Sequence, residues 1–198
     1  GLIRAFVMTR PSPCPLPASG ERGEGALGEG GGANLPSPRL RGEVPAGRMA
    51  GGEGVLLDLY GGAGGIAFSL SDLFDNVISV ENNPSASEDG RHNAALNGID
   101  NVEFVTATVE SFLPSLSLDA LALSLVVLDP ARGGIHPKAL KAVMTARPKD
   151  VVYVSCNPKL LAADLKVLTE AYRVTRLEAV DLFPHTEHIE AVARLELV

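Results

Sequence analysis

From residue 55 onward, short apolar runs alternate with stretches of helical periodicity, and that alternation leaves few architectures open. Val55-Leu56-Leu57-Asp58-Leu59 reads as a short buried strand. It breaks at Tyr60 into Gly61-Gly62-Ala63-Gly64-Gly65, after which Ile66 to Phe74 reads as a helix. The unit then recurs. Val77 to Val80 is a strand ending at Glu81, and Ser85 to Asn97 is a helix stopped by Gly98. Val102 to Val105 is a third strand, and Leu123 to Leu128 a fourth, whose run, apolar apart from Ser124, suits burial on both faces. Pro137 to Ala146 is a helix with proline in its first turn, followed by a strand over Val151 to Val154 and a helix over Lys159 to Ala171. Tyr172 to Leu182 and His188 to Leu197 are two final strands joined through a loop at Pro184. Repeated strand–helix units predict an α/β fold with a mostly parallel, doubly wound sheet. The last pair has no helix between its strands and predicts an antiparallel C-terminal edge.

Composition narrows the function classes. The chain has 198 residues, enough for one domain with a substantial core. No run approaches the roughly 18 apolar residues of a membrane span, and Gly1 to Met8 is too short and broken for a secretory signal. These features predict a soluble, cytoplasmic protein with no membrane partner. Two cysteines, Cys14 and Cys156, argue against a disulfide framework, an iron–sulfur cluster or a four-cysteine zinc site. His185 and His188 are close, but no third ligand is spaced for a metal. The formal net charge of −7 argues against strong nucleic-acid binding by this chain alone, because phosphate neutralisation needs clustered Lys and Arg. Residues 1–54 hold more than half of the 21 glycines and half of the 14 prolines, with few large apolar residues. That stretch cannot bury enough surface to offset its ordering entropy. It reads as a disordered Gly/Pro-rich leader with the look of translated repetitive DNA, and residues 55–198 as the folded domain.

Four stretches, together with Glu81, carry the chemistry. The glycine turn lets a ligand approach the backbone closely and presents helix N-terminal amides. Glu81, about 20 residues on, ends the second strand where a carboxylate can accept both ribose hydroxyls. That pair suits NAD and S-adenosylmethionine alike; Asp58 within the first strand and the chemistry further on favour S-adenosylmethionine. Cys156 follows a strand and precedes a helix opened by Asn157-Pro158, where the helix N-terminus favours a thiolate. Asp129 leaves the fourth strand before Pro130-Ala131-Arg132-Gly133-Gly134 and would project a carboxylate into the same crevice. Glu190 lies early in the last strand, placed to accept a proton.

Four motifs in order resemble the RNA uracil-5-methyltransferases, which methylate a uridine in tRNA or ribosomal RNA. They are Asp58-Leu59-Tyr60-Gly61-Gly62-Ala63-Gly64; Asp129-Pro130-Ala131-Arg132-Gly133-Gly134; Ser155-Cys156-Asn157-Pro158; and Asp181-Leu182-Phe183-Pro184-His185-Thr186-Glu187-His188-Ile189-Glu190. The resemblance runs from about residue 55 to the C-terminus. It implies a Rossmann-like S-adenosylmethionine-dependent methyltransferase fold with a seven-stranded sheet, S-adenosylmethionine as cofactor, and tRNA or rRNA as partner. By that resemblance Cys156 is the nucleophile, Glu190 the base and Asp129 the group orienting uracil. Asp58, Tyr60, Gly62, Gly64, Glu81 and Asp129 would serve the cofactor. The family usually carries cysteine at Gly61, proline at Ala131, Thr and Arg at Leu160 and Ala163, and an acidic or amide group at Thr108. Its members also carry an N-terminal RNA-binding barrel without counterpart in this sequence. The second reading is therefore an impaired or inactive fragment that at most binds S-adenosylmethionine. An NAD-linked dehydrogenase gives Cys156 and Glu190 no role, and RNA cytosine-C5 methylation lacks its usual cysteine at Ala131.

Overall fold

The computed structural model describes residues 3, 4, 54–116, 123–182, 184–186 and 188–198. The reading of 1–54 as a disordered leader falls outside the described residues except at Ile3, Arg4 and Gly54; Cys14, Phe183 and Glu187 also lie outside them.

Seven strands form one sheet: β1 Val55–Leu59, β2 Asn76–Glu81, β3 Val102–Thr106, β4 Leu123–Leu128, β5 Asp150–Ser155, β6 Tyr172–Val180 and β7 Glu190–Leu197. Their order is β3-β2-β1-β4-β5-β7-β6. All neighbours are parallel except β7, which runs against both β5 and β6. The antiparallel C-terminal pair predicted from sequence is thus present, with one refinement. The final strand inserts between β5 and β6, so β6 becomes the edge.

The helices are α1 Gly65–Leu70, α2 Pro84–Leu96, α3 Val109–Phe112, α4 Pro137–Ala146 and α5 Pro158–Leu168. Three of them begin alike, with a capping side chain followed by proline. Asn83 accepts from Ser85 N and Ala86 N, His136 from Lys138 N, and Asn157 from Leu160 N. The helix expected to reach Phe74 instead tightens into a 3₁₀ turn over Ser71–Leu73. There the Ser71 hydroxyl donates to the Phe68 carbonyl at 3.0 Å, competing with the helical ladder. The four-residue α3 was invisible to periodicity, being barely one turn long.

Both faces of the central strands β1, β2, β4 and β5 are largely buried. Leu57, Leu59, Ile78, Val80, Val126 and Leu128 pack toward α3, α4 and α5 residues such as Phe112, Val143 and Leu161. Leu56, Val77, Leu125, Val127, Val152 and Val154 pack on the other face with Ala67 and Leu70 of α1. This double burial is why the central strands read as mostly apolar runs. At the far end of the sheet, Arg194 of β7 donates to both carboxylate oxygens of Asp150 on β5, at 3.2 and 2.6 Å, with both side chains 7% exposed. A paired, bidentate ion bridge of this kind fixes where β7 sits along β5.

Candidate active site

Strand order reverses between β1 and β4, and the crevice at such a reversal opens at the carboxyl ends of the strands. The turn after β1 lies there. Tyr60, Gly62 and Gly64 have φ of 67, 54 and 91°, all left-handed. Gly64 is doubly constrained, because a Cβ would also sit 2.7 Å from the rings of Phe68 and Phe104. At Gly62 and Gly65 a Cβ would meet nothing within 4 Å, so the outer side of the turn is open.

Asp58 and Glu81 brace this turn. Asp58 is fully buried, and its Oδ2 accepts from Ala67 N at 3.2 Å, tying the first turn of α1 to β1. Its Oδ1 has no hydrogen-bond partner among the described residues. Burial first, and then the charge of Asp129, push its pKa up to about 7. Glu81 Oε2 accepts from Gly62 N at 3.0 Å and its Oε1 from Asn83 N at 2.7 Å. The ring of Tyr60 packs against the core, where burial, then Glu110 and Asp164, push its phenol up to about 12. Tyr60 therefore contributes to the turn through its backbone.

The reacting side is assembled from β4, β5 and β7. The Asp129 amide donates to the Leu59 carbonyl at 3.2 Å, which ties this residue to the end of β1. Cys156 is half-buried at the end of β5. Because β7 runs backwards, its first residue arrives at the same end of the sheet. Val154 pairs with Val192 and Ser155 with Ala191, the last pair of that ladder, so Glu190 at the start of β7 and Cys156 just past β5 lie at the same end of the sheet. Asp129, Cys156 and Glu190 line one cavity of about 520 Å³, with apolar walls from Ile66, Val154, Leu182 and Val192. Burial, and then the facing Glu190, push Asp129 up to about 6. A thiol and two carboxylates in an apolar pocket can form a covalent bond, hold a polar edge and accept a proton.

All eight residues singled out from sequence lie on these two sides. Other contributors were not singled out. Ile3 and Arg4 reach the cavity rim, where Arg4 donates to both Asp72 oxygens at 2.6 and 2.8 Å. No periodicity or motif in the short N-terminal stretch around them signals that contact. Arg132 Nη2 lies 3.0 Å from His188 Nδ1, and Asn157 Nδ2 donates to the Arg132 carbonyl at 3.4 Å. Asp164 accepts from Tyr153 Oη and from Ile135 N. Its signal was available: it is an acid on the same helical stripe as Leu161 and Leu168. Among the described residues no group of three or more His, Cys, Asp or Glu could hold a metal, and no helix is long and apolar enough to cross a membrane.

A family model described as tRNA (Uracil-5-)-methyltransferase matches residues 47–197. An uncharacterized RNA methyltransferase of Bacillus cereus is 41% identical over 148 residues, covering 74% of this chain and 32% of the relative. One from Gloeobacter violaceus is 42% identical over 154 residues, covering 77% and 33%. The chain therefore spans about a third of the length of the curated relatives it matches. Among solved structures, the Pyrococcus abyssi tRNA (uracil-54, C5)-methyltransferase in complex with S-adenosyl-L-homocysteine superposes with a TM-score of 0.62 at 38% identity, covering 73% of this chain and 34% of that one. An rRNA methylase from Streptococcus thermophilus shares the fold at 14% identity, with a TM-score of 0.59.

Proposed function

The chain belongs to the tRNA (uracil-5-)-methyltransferase family, and from that premise we propose that it methylates C5 of a uridine in RNA, tRNA or rRNA, through a covalent bond from Cys156 to C6. The observation that carries this reading is the convergence of Asp129, Cys156 and Glu190 on one cavity. The residues present fit S-adenosylmethionine as cofactor. No side chain fills the space beside Gly62 and Gly65. Glu81 engages one amide through each oxygen, which leaves each a lone pair for a ribose hydroxyl. Gly62, Gly64 and Glu81 would hold the cofactor directly, and Asp58 would hold the turn. When bound, S-adenosylmethionine supplies an electrophilic methyl group.

The chain's own groups do the rest. Cys156 Sγ bonds to C6 of uracil, and the C5=C6 electron pair moves to make C5 an enolate-like carbon. Once C5 carries the methyl group, Glu190 accepts the C5 proton. The freed pair restores C5=C6, the Sγ–C6 bond breaks, and sulfur leaves as thiolate. Asp129, ionised above about pH 6, accepts a hydrogen bond from the uracil N3–H and orients the ring. A stacked or paired uridine has to swing out to enter a cavity of this kind.

The experiment is tritium release from RNA carrying 5-tritiated uridine, run with the 198-residue chain and S-adenosylmethionine. Release dependent on the cofactor is expected. Bound S-adenosylmethionine without release would contradict the reading and favour a fragment that only binds cofactor.

A further inference from the structure

Asp164 sits on α5 between the buried Leu161 and Leu168. A carboxylate on such a stripe is costly unless its oxygens are hydrogen-bonded. Its Oδ2 takes two bonds, from Tyr153 Oη at 2.6 Å and from Ile135 N at 3.3 Å. The donors belong to different segments. Tyr153 stands on β5 three residues before Cys156, and Ile135 closes the loop that begins at Asp129. Midway along that loop, the Arg132 carbonyl accepts from Asn157 Nδ2 at 3.4 Å. At Gly134, φ is +78°, and a Cβ would lie 3.4 Å from Leu160 and 3.5 Å from Asp164 Oδ2, so the loop rests directly on α5.

We infer that Asp164 is a positioning residue that holds the Asp129–Ile135 loop against the Cys156 turn, setting the spacing between the group that orients substrate and the nucleophile. The catalytic consequence rests on the methyl-transfer reading; the tether does not. Tyr153 is a suitable permanent donor, because burial and the bond to Asp164 hold its phenol above the ordinary tyrosine range. One acceptor atom serves both bonds, so an amide oxygen at the same position can replace it.

Two readouts need no RNA: amide exchange at Ile135, and alkylation of Cys156 by iodoacetamide in a Cys14→Ser background. Asp164→Ala should speed Ile135 exchange at least tenfold and Cys156 alkylation severalfold, with S-adenosylmethionine Kd within twofold of the parent. Asp164→Asn should restore both readouts. Tyr153→Phe, which removes only one of the two bonds, should leave Ile135 protected. In turnover, Asp164→Ala should lower kcat tenfold or more while KM for S-adenosylmethionine stays within twofold. Unchanged exchange and alkylation in Asp164→Ala would overturn the tether, as would Asp164→Asn behaving like Asp164→Ala. Intact kcat despite fast Ile135 exchange would reduce Asp164 to a structural role. A parent chain that transfers no methyl group would contradict the methyl-transfer reading instead, and the two RNA-free readouts would still decide the tether.

Discussion

The glycine-turn side of the cleft is made of neighbours in sequence, and the reacting side of strangers. Asp58, Gly62, Gly64 and Glu81 fall within two consecutive strand ends, and their contacts are mostly side chain to backbone amide. Asp129 and Cys156 follow the parallel strands β4 and β5, and Glu190 joins them only because β7 runs backwards beside β5. The first side depends on local turn geometry and the second on topology. Perturbations of the first should act on cofactor affinity, and perturbations of the second on chemistry.

The largest expected effect is on the reacting side. Cys156→Ala removes the thiol proposed to bond to C6, so tritium release should fall by about 10⁴ or more, with cofactor affinity retained. Glu190→Gln should slow release by roughly 10²–10⁴ yet leave the attack of Cys156 intact, so a methylated protein–RNA adduct should accumulate on denaturing gels. Comparable losses of cofactor binding in either variant would break the contrast between the two sides.

Glu81→Ala should act in the opposite sense. It removes a charged acceptor from Gly62 N and Asn83 N and from the proposed ribose contact, and calorimetry should show S-adenosylmethionine bound about 10–100-fold more weakly. At saturating cofactor, release should recover.

The smallest effect concerns stability and pH. Asp58 is raised from the ordinary carboxyl value to about 7 by burial and by Asp129. The folded state therefore binds a proton that the unfolded state has already lost. The stability this provides is complete below about pH 4 and is lost as pH rises through 7. Asp58→Asn keeps an acceptor for Ala67 N but cannot ionise. The fall in Tm between pH 5 and pH 8 should flatten in that variant, and an unchanged slope would place the titration elsewhere.

The same contrast explains what could be read from sequence. β1, β4 and α4 match their expected limits, because the two strands are mostly apolar and the helix is capped at its start. The glycine turn and Glu81 were legible because strand, turn and second strand end follow in order. Glu190 could be named from its motif, but its place next to Cys156 depends on the β5–β7 register, which no local pattern encodes. Asp129's coupling to Asp58 and Glu190 is likewise a product of packing. Asp164 is legible in part, since an acid on an apolar helical stripe marks a buried partner, whereas Ile3 and Arg4 carry no signal.

The most direct test of the central claim is to incubate the chain with S-adenosylmethionine and RNA containing 5-fluorouridine, digest it, and locate the adduct by mass spectrometry. Fluorine at C5 cannot leave as a proton, so the covalent species should persist. A methylated fluorouridine linked to Cys156, and to no other residue, is the expected product. Methylated RNA with Cys156 unmodified, or an adduct at a different side chain, would contradict the central claim.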